Sequence, residues 1–181
     1  MKQSRAAKKF VRSHDRSVRM IKRHWEIWRS SDKALDETDD DLFRAGIVLA
    51  VAAMDSYFTD RFCEALIPYI RQNGLNKQLK QLLSDSGLTL GKSIEMFDNQ
   101  RPKRVLSNMV RRHLGTFVTQ NFKTVDKLYQ CIGFAKPVTL SAQEFTYRKR
   151  LLRSISTLVE RRHKIVHGGD YNQHGRLRAI A

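Results

Sequence analysis

The chain has 181 residues, which is enough for one domain with a sizeable core, and its charge is strongly unbalanced. Hydrophobic residues make up 41% and charged residues 29%, a composition typical of a folded soluble protein that excludes a disordered chain. The 34 Lys and Arg residues against 18 Asp and Glu give a net charge of +16. Such a charge favours a polyanionic partner, with nucleic acid ahead of an anionic membrane surface.

Neither the cysteines nor the apolar runs indicate export or membrane insertion. Cys63 and Cys131 are far apart and match no zinc motif, so we expect two buried thiols in a reducing compartment. The longest apolar run, residues 46–54, is shorter than the ~20 residues of a membrane span, and no apolar segment follows the N-terminal cations. We therefore expect a cytoplasmic protein with no membrane partner, although the basic start could also mimic an organelle transit peptide.

Helical periodicity dominates the sequence, and no run alternates convincingly with a period of two. The first helix is predicted over residues 4–30, within a basic N-terminal segment 1–31. One apolar stripe is expected on it, formed by Ala7, Val11, His14, Val18, Ile21, Trp25 and Trp28. The other face is basic and could be either a solvated surface or an RNA-facing one.

A second helix is predicted over residues 41–72. It is apolar almost all round between Ile47 and Met54, which is typical of the buried centre of a bundle. Pro68 could kink or end it, and Asn73-Gly74 predicts a stop. Glycines and prolines then break residues 75–136 into shorter helical pieces.

The last helix is predicted to begin at a capping box, Ser141 with Glu144, and to end near His167. Gly168-Gly169 can supply its left-handed C-cap, and a polar tail follows over residues 169–181. These elements predict an all-α fold, with residues 1–181 forming a single domain and residues 40–168 its bundle core.

The end of the last helix carries an arginine followed after five positions by a histidine, Arg162 and His167. Arginine offers a permanent forked charge for a phosphate, and histidine can move a proton near neutral pH. His163 lies four residues before His167, so the two share a helix face. The alternatives are solvated cations that offset the helix dipole and a structural His167.

The two histidines also have the spacing of a helical zinc pair. A metalloprotease needs Glu after the first His, whereas this chain has Lys164, and no third ligand is evident. We expect neither a metal nor another cofactor.

Residues 161–170 and residues 52–58, from Ala52 to Phe58, resemble the HEPN superfamily and its RiboL-PSP-HEPN branch. The resemblance implies a HEPN-like bundle of long antiparallel helices that dimerises, so that two Arg-x4-His motifs face one cleft. It also implies a metal-independent endoribonuclease acting as a toxin or as an antiviral or stress effector. Other members of the superfamily are non-catalytic RNA-binding or dimerisation modules. The chain stops where a further helix is expected, which indicates a truncated or divergent member.

Under this resemblance His167 is the general base or acid, one from each subunit, because cleavage by the 2′-hydroxyl needs both. Arg162 would hold the nonbridging phosphate oxygens, and His163 would orient its neighbour or carry a second proton. The expected partners are RNA, a second copy of the chain, and an acidic antitoxin or regulatory protein.

Four further residues have expected supporting roles. Arg161 and Lys164 would grip RNA phosphates. Asp55 is a candidate partner for Arg162 or His167, or a hydrogen-bonded core residue. Asp170 is expected to cap the turn after the last helix.

Overall fold

The computed structural model describes residues 3–30, 37–116, 121–135, 138–139 and 146–178. Within these ranges the chain is mainly helical and contains no β-strand, so the predicted all-α fold is confirmed. The helices are α1 (Arg5–Ser30), α2 (Glu37–Asn73), α3 (Lys77–Asp85), α4 (Leu90–Glu95), α5 (Pro102–Leu114), α6 (Phe122–Gln130) and α7 (Thr146–Gly168). An isolated antiparallel bridge joins Tyr171 to Leu177 in the tail.

The long helices lie close to their predicted positions. Helix α2 begins at Glu37 rather than at residue 41, and it continues through Pro68. It ends at Asn73, and Gly74, whose φ is +71°, donates its N–H to the carbonyl of Ile70, which confirms the predicted stop. The predicted capping box, Ser141 with Glu144, lies outside the described residues.

The chain divides into two compact units, and α2 contributes to both. The first unit comprises residues 1–56 and 147–181, and it therefore contains α1, the start of α2, α7 and the tail. The second comprises residues 57–146. The predicted single-domain organisation stays a prediction.

The second unit is built around an apolar core contributed by α2, α3, α5 and α6. Phe62, Leu66 and Leu79 are fully buried there, and each contributes about 1.5–3 kcal/mol. Burial raises the pKa of the Cys63 thiol to about 11, which keeps the thiol protonated near neutral pH. Both cysteines are free, as expected, but Cys131 is only half-buried.

The packed face of α1 differs from the predicted apolar stripe. Val11, Trp25 and Trp28 are 43%, 48% and 54% exposed, whereas Ser17 and His24 are buried. The prediction was wrong here because it assigned the buried side of the helix by the hydrophobicity of its residues, in which tryptophan exceeds serine. The side that packs is instead the one whose small residues let α2 approach closely.

Helices α1 and α2 approach closely at Gly46. A Cβ added at Gly46 would lie 2.7 Å from Ile21 Cγ1 and 3.3 Å from the backbone oxygen of Ser17. Further along α1, His24 Nε2 lies 3.2 Å from Asp40 Oδ1. The partners on α2 move backwards as those on α1 move forwards, so the two helices are antiparallel neighbours, and small or polar residues form their contact.

Helix α2 is less buried than predicted. Between Ile47 and Met54, Ile47, Val51 and Ala53 are buried, whereas Ala52 is exposed and the other residues are half-buried. The apolar run 46–54 is shorter than a membrane span, but the stretch Asp39–Asn73 is long enough to cross one, and its most apolar 18-residue window has a mean hydropathy of 1.3. Only 28% of its most apolar window is buried. Since core helices of soluble proteins meet the same criterion, no membrane function follows from it.

Candidate functional site

The predicted catalytic residues lie in the last two turns of α7. The helix ends at Gly168, and Gly169 has a φ of +57°, which confirms the predicted left-handed C-cap. The N–H of Asp170 donates to the carbonyl of Lys164 at 3.1 Å and so closes the helix end. The turn after the helix is therefore fixed by backbone hydrogen bonds.

His163 and His167 form a ring pair on this helix end. Their ring centroids are 4.5 Å apart with an interplanar angle of 47°, which confirms that the two share a face. Both residues are exposed. A neutral imidazole has one N–H donor and one acceptor nitrogen, so two adjacent exposed rings can accept and deliver protons at one place.

Arg162 is half-buried, and its Nε atom is fully buried without a hydrogen-bond partner in the described part of the chain. The guanidinium also forms no salt bridge with a described acidic residue. On an ideal helix Arg162 and His167 are separated by about 140°, so they lie on adjoining faces of α7. The charge of Arg162 is thus held close to the protein, and no acidic residue in the described ranges neutralises it.

Asp170 occupies the centre of a buried ion cluster. It is 0% exposed, and its Oδ2 accepts hydrogen bonds from Arg44 Nε at 3.1 Å and from Arg161 Nη2 at 2.6 Å. The same two arginines donate to the backbone oxygen of Arg178, at 3.2 Å and 3.3 Å, and Arg178 donates its own N–H to the backbone oxygen of Asp170 at 3.0 Å. The Asp170 cluster, formed by Arg44, Arg161, Asp170 and the Arg178 backbone, ties α2, α7 and the tail together.

Asp170 caps the turn through its backbone, and its side chain has a different role. The backbone N–H of Asp170 closes the helix, while the carboxylate is aimed at arginines from two helices. Its φ of +64° makes it a residue other than glycine in the left-handed region, which costs of order 1–3 kcal/mol. The two arginine contacts compensate for that strain.

Arg44 was missed by the sequence reasoning, although it is the cation that makes the cluster possible. It is 4% exposed, and it also pairs with Asp41 at 3.1 Å and Asp40 at 4.0 Å. Burial alone would lower the pKa of Arg44, but the hydrogen bonds to Asp170 and Asp41 raise it above its ordinary value. The available signal was a cation directly before the apolar run of α2, three and four residues after two aspartates.

The remaining predicted residues are placed differently from one another. Arg161, predicted to bind RNA, is committed to the buried Asp170 and is 24% exposed, so little of its guanidinium is left for a phosphate. Lys164 is exposed, and Asp55 is half-buried. RNA contacts by Arg161 and Lys164, and a role for Asp55 beside Arg162 or His167, stay predictions. Within the ranges that the structure describes, no three His, Cys, Asp or Glu side chains come together as a metal-binding group.

Comparison with known proteins identifies one family. The family model described as RiboL-PSP-HEPN matches residues 27–177, a range that contains α2 to α7 and the whole Asp170 turn but excludes most of α1. No curated protein and no solved structure matches the chain.

Proposed function

The chain belongs to the RiboL-PSP-HEPN family, and from that premise we propose that it is a metal-independent endoribonuclease. Membership indicates an RNA- or nucleotide-related function in general. The residues of the site support the more specific proposal of metal-independent RNA cleavage. The observation that carries the proposal is the exposed His163–His167 pair, directly after the unneutralised Arg162, at the fixed end of α7.

The proposed reaction is attack of the RNA 2′-hydroxyl on the adjacent phosphorus. One imidazole removes the proton of the 2′-hydroxyl, the O2′–P bond forms, and the bond between phosphorus and the 5′-oxygen breaks. A second imidazole, protonated, delivers its proton to that leaving oxygen. The products are a 2′,3′-cyclic phosphate and a free 5′-hydroxyl. General acid–base catalysis of this kind supplies about 10²–10⁴-fold of rate.

Arg162 is proposed to stabilise the negative charge that develops on the nonbridging oxygens. Its neighbour Arg161 gives its charge to the buried Asp170, whereas Arg162 has no acidic partner among the described residues. Two consecutive arginines therefore have different tasks: Arg161 holds the helix end in place, and Arg162 faces the reaction.

A homodimer is proposed because each chain offers one motif with its arginine and its histidine on adjoining faces. Leu151, Leu158 and Val166 are 55%, 40% and 47% exposed and recur on the same side of α7 as Arg162. An exposed apolar stripe of this kind is typical of a protein interface. In an isologous dimer built on this side, the two Arg162 side chains would face one cleft, and each His167, about 140° round the helix, would lie at its edge.

Replacing Leu158 with glutamate is expected to dissociate the dimer and to lower RNA cleavage in parallel, because the carboxylate would be desolvated in the interface. Sedimentation velocity gives the mass, and the cleavage rate is measured in the same samples. Thr157→Glu is the matched control, since Thr157 is exposed and lies on α7 about 100° from Leu158 and at least about 80° from both histidines. Full cleavage by a monomeric protein would contradict the dimeric site.

Chelation of divalent metals is the direct test of the proposed mechanism class. A labelled single-stranded RNA should be cut at an unchanged rate in EDTA, and a DNA strand of the same sequence should stay intact because it lacks the 2′-hydroxyl. Loss of cleavage in EDTA would rule out the metal-free mechanism. RNA binding without any cleavage, even at high protein concentration, would instead assign the chain as a non-catalytic RNA-binding or dimerisation module.

The biological setting is proposed on charge and family. A cytoplasmic ribonuclease with a net charge of +16 suits a toxin or a defence effector that an acidic antitoxin or regulatory protein restrains. To suppress cleavage, such a partner would have to cover either the histidine pair or the exposed apolar side chains of α7, which are Leu151, Leu158 and Val166.

A further inference from the structure

Helix α1 carries a regular row of cations, and most of this helix lies outside the residues that the family model matches. Six of its basic residues recur at alternating steps of four and three and so lie along one side of the helix. They form what we call the α1 basic stripe: Arg5, Lys9, Arg12, Arg16, Arg19 and Arg23. All six are exposed.

The stripe has the length of a short stretch of nucleic acid. From Arg5 to Arg23 it extends about 27 Å at 1.5 Å per residue. A nucleic-acid strand in a helix carries one phosphate about every 3.4 Å, so the stripe spans roughly eight nucleotides. Its cations follow one another every 4.5–6 Å along the axis, as three or four residues of helix rise dictate.

Helix α1 carries nine Lys and Arg residues against two acidic residues, Asp15 and Glu26. In the described ranges Arg12, Arg16 and Arg19 form no salt bridge, and Arg23 pairs with Glu26 at 3.2 Å in an exposed pair that is worth little. Like charges three or four apart on a helix repel each other, so the five successive pairs of the stripe destabilise the free helix. A bound polyanion would reverse that repulsion.

The helix is held firmly on its other side. Ser17 and His24 are buried, Gly46 of α2 packs against Ile21, and His24 is paired with Asp40. The α1 basic stripe thus belongs to a helix that is packed against α2 within the first unit, in contrast to a loose basic tail.

We propose that the α1 basic stripe binds the phosphate backbone of RNA and is a substrate-holding surface separate from the histidine pair. Only the choice of RNA as the polyanion rests on the proposed function; the shared chemistry is a row of phosphates. The stripe would bind without reading base sequence, since its contacts are charge contacts.

The test measures RNA affinity by fluorescence anisotropy on a His167→Ala background, so that cleavage cannot interfere. The stripe variant changes Arg12, Arg16 and Arg19 to glutamine. The matched variant changes Lys8, Lys22 and Arg29 to glutamine, which removes the same charge from the same helix outside the stripe. Far-ultraviolet circular dichroism verifies that both variants keep α1 helical.

We expect the stripe variant to bind at least tenfold more weakly than the matched variant at about 0.1 M salt. The slope of log affinity against log salt should fall from about −4 for six contacts to about −2 for three, at ~0.7 per contact on a single strand. Single-stranded and duplex RNA are compared in separate experiments. The form that binds with the higher affinity identifies the natural form of the substrate.

Equal affinity and equal slope for the two variants would overturn the inference while leaving the cleavage proposal intact. Displacement of RNA by an equally charged polyglutamate at equal concentration would overturn it as well, because an acidic protein would then fit the stripe equally. If wild type never cleaves RNA but binding still depends on the stripe, the ribonuclease proposal fails and the stripe assignment stands.

Discussion

Replacing His167 with alanine is expected to lower the rate of RNA cleavage by about 10²–10⁴-fold and to leave RNA affinity largely unchanged. The side chain is exposed at the end of α7 and lies against His163 at its surface, so its removal leaves no cavity. The loss should come from the missing proton transfer, because the proposed phosphate contacts belong to other side chains. Single-turnover cleavage and anisotropy binding, measured on the same preparations, separate the two effects.

His174→Ala is the matched control, since His174 is another exposed histidine, in the turn after α7, with no proposed role in the reaction. It should cleave RNA like wild type. Thermal unfolding of both variants should stay close to wild type. A His167→Ala protein that loses cleavage, binding and thermal stability together would show that His167 is a structural residue.

Replacing Asp170 with alanine is expected to destabilise the fold by about 3–5 kcal/mol, because the buried Arg44 would lose the one of its carboxylate partners that is fully buried with it. That is a large share of the 5–15 kcal/mol by which domains are stable. Urea unfolding followed by circular dichroism measures the loss. Since the cluster fixes the helix end that carries His163 and His167, residual cleavage should fall as well.

Two companion variants separate charge from backbone strain. Asp170→Asn keeps a side chain that tolerates the left-handed conformation but removes the charge, so it should remain strongly destabilised. Asp41→Ala removes another carboxylate partner of Arg44, and the Asp41 side chain is 67% exposed. This substitution should therefore lower the free energy of unfolding by no more than about 1 kcal/mol. Equal costs for Asp170→Ala and Asp41→Ala would mean that the buried cluster does not hold the helix end.

Local patterns in the sequence predicted the helices well, because helix starts and stops depend on neighbouring residues. The bounds of α1, the stop at Gly74 and the left-handed cap at Gly169 all follow from residues within one or two turns. The buried side of α1 did not follow. It depends on Gly46, which lies in another helix and admits the close contact with Ile21 that turns Trp25 and Trp28 outwards.

The candidate site divides in the same way. The histidine pair was predictable because residues four apart on a helix face each other. The Asp170 cluster was not, because it joins Arg44, Arg161 and the backbone of Arg178 across 134 positions of sequence. Read locally, Gly-Gly-Asp is only a turn; the fold makes its aspartate the anchor of the helix end.

The split between Arg161 and Arg162 shows how the two parts of the site depend on each other. Arg161 completes the buried cluster, and the next residue keeps a charge that the described acidic residues leave unpaired. Loss of the cluster would free Arg161 but release the turn that orients both histidines. The motif therefore needs Asp170 even though Asp170 is fully buried and takes no part in the proposed chemistry.

The most direct test of the proposed metal-free cleavage is to identify the RNA ends that the purified wild-type protein produces in EDTA. Fragments of a defined single-stranded RNA are analysed by mass spectrometry and by their acceptance of phosphate from a polynucleotide kinase. Attack by the 2′-hydroxyl with proton transfer by the histidine pair predicts 2′,3′-cyclic phosphate and 5′-hydroxyl ends. Fragments with 3′-hydroxyl and 5′-phosphate ends would mean that water is the nucleophile, and would contradict the mechanism assigned to Arg162, His163 and His167.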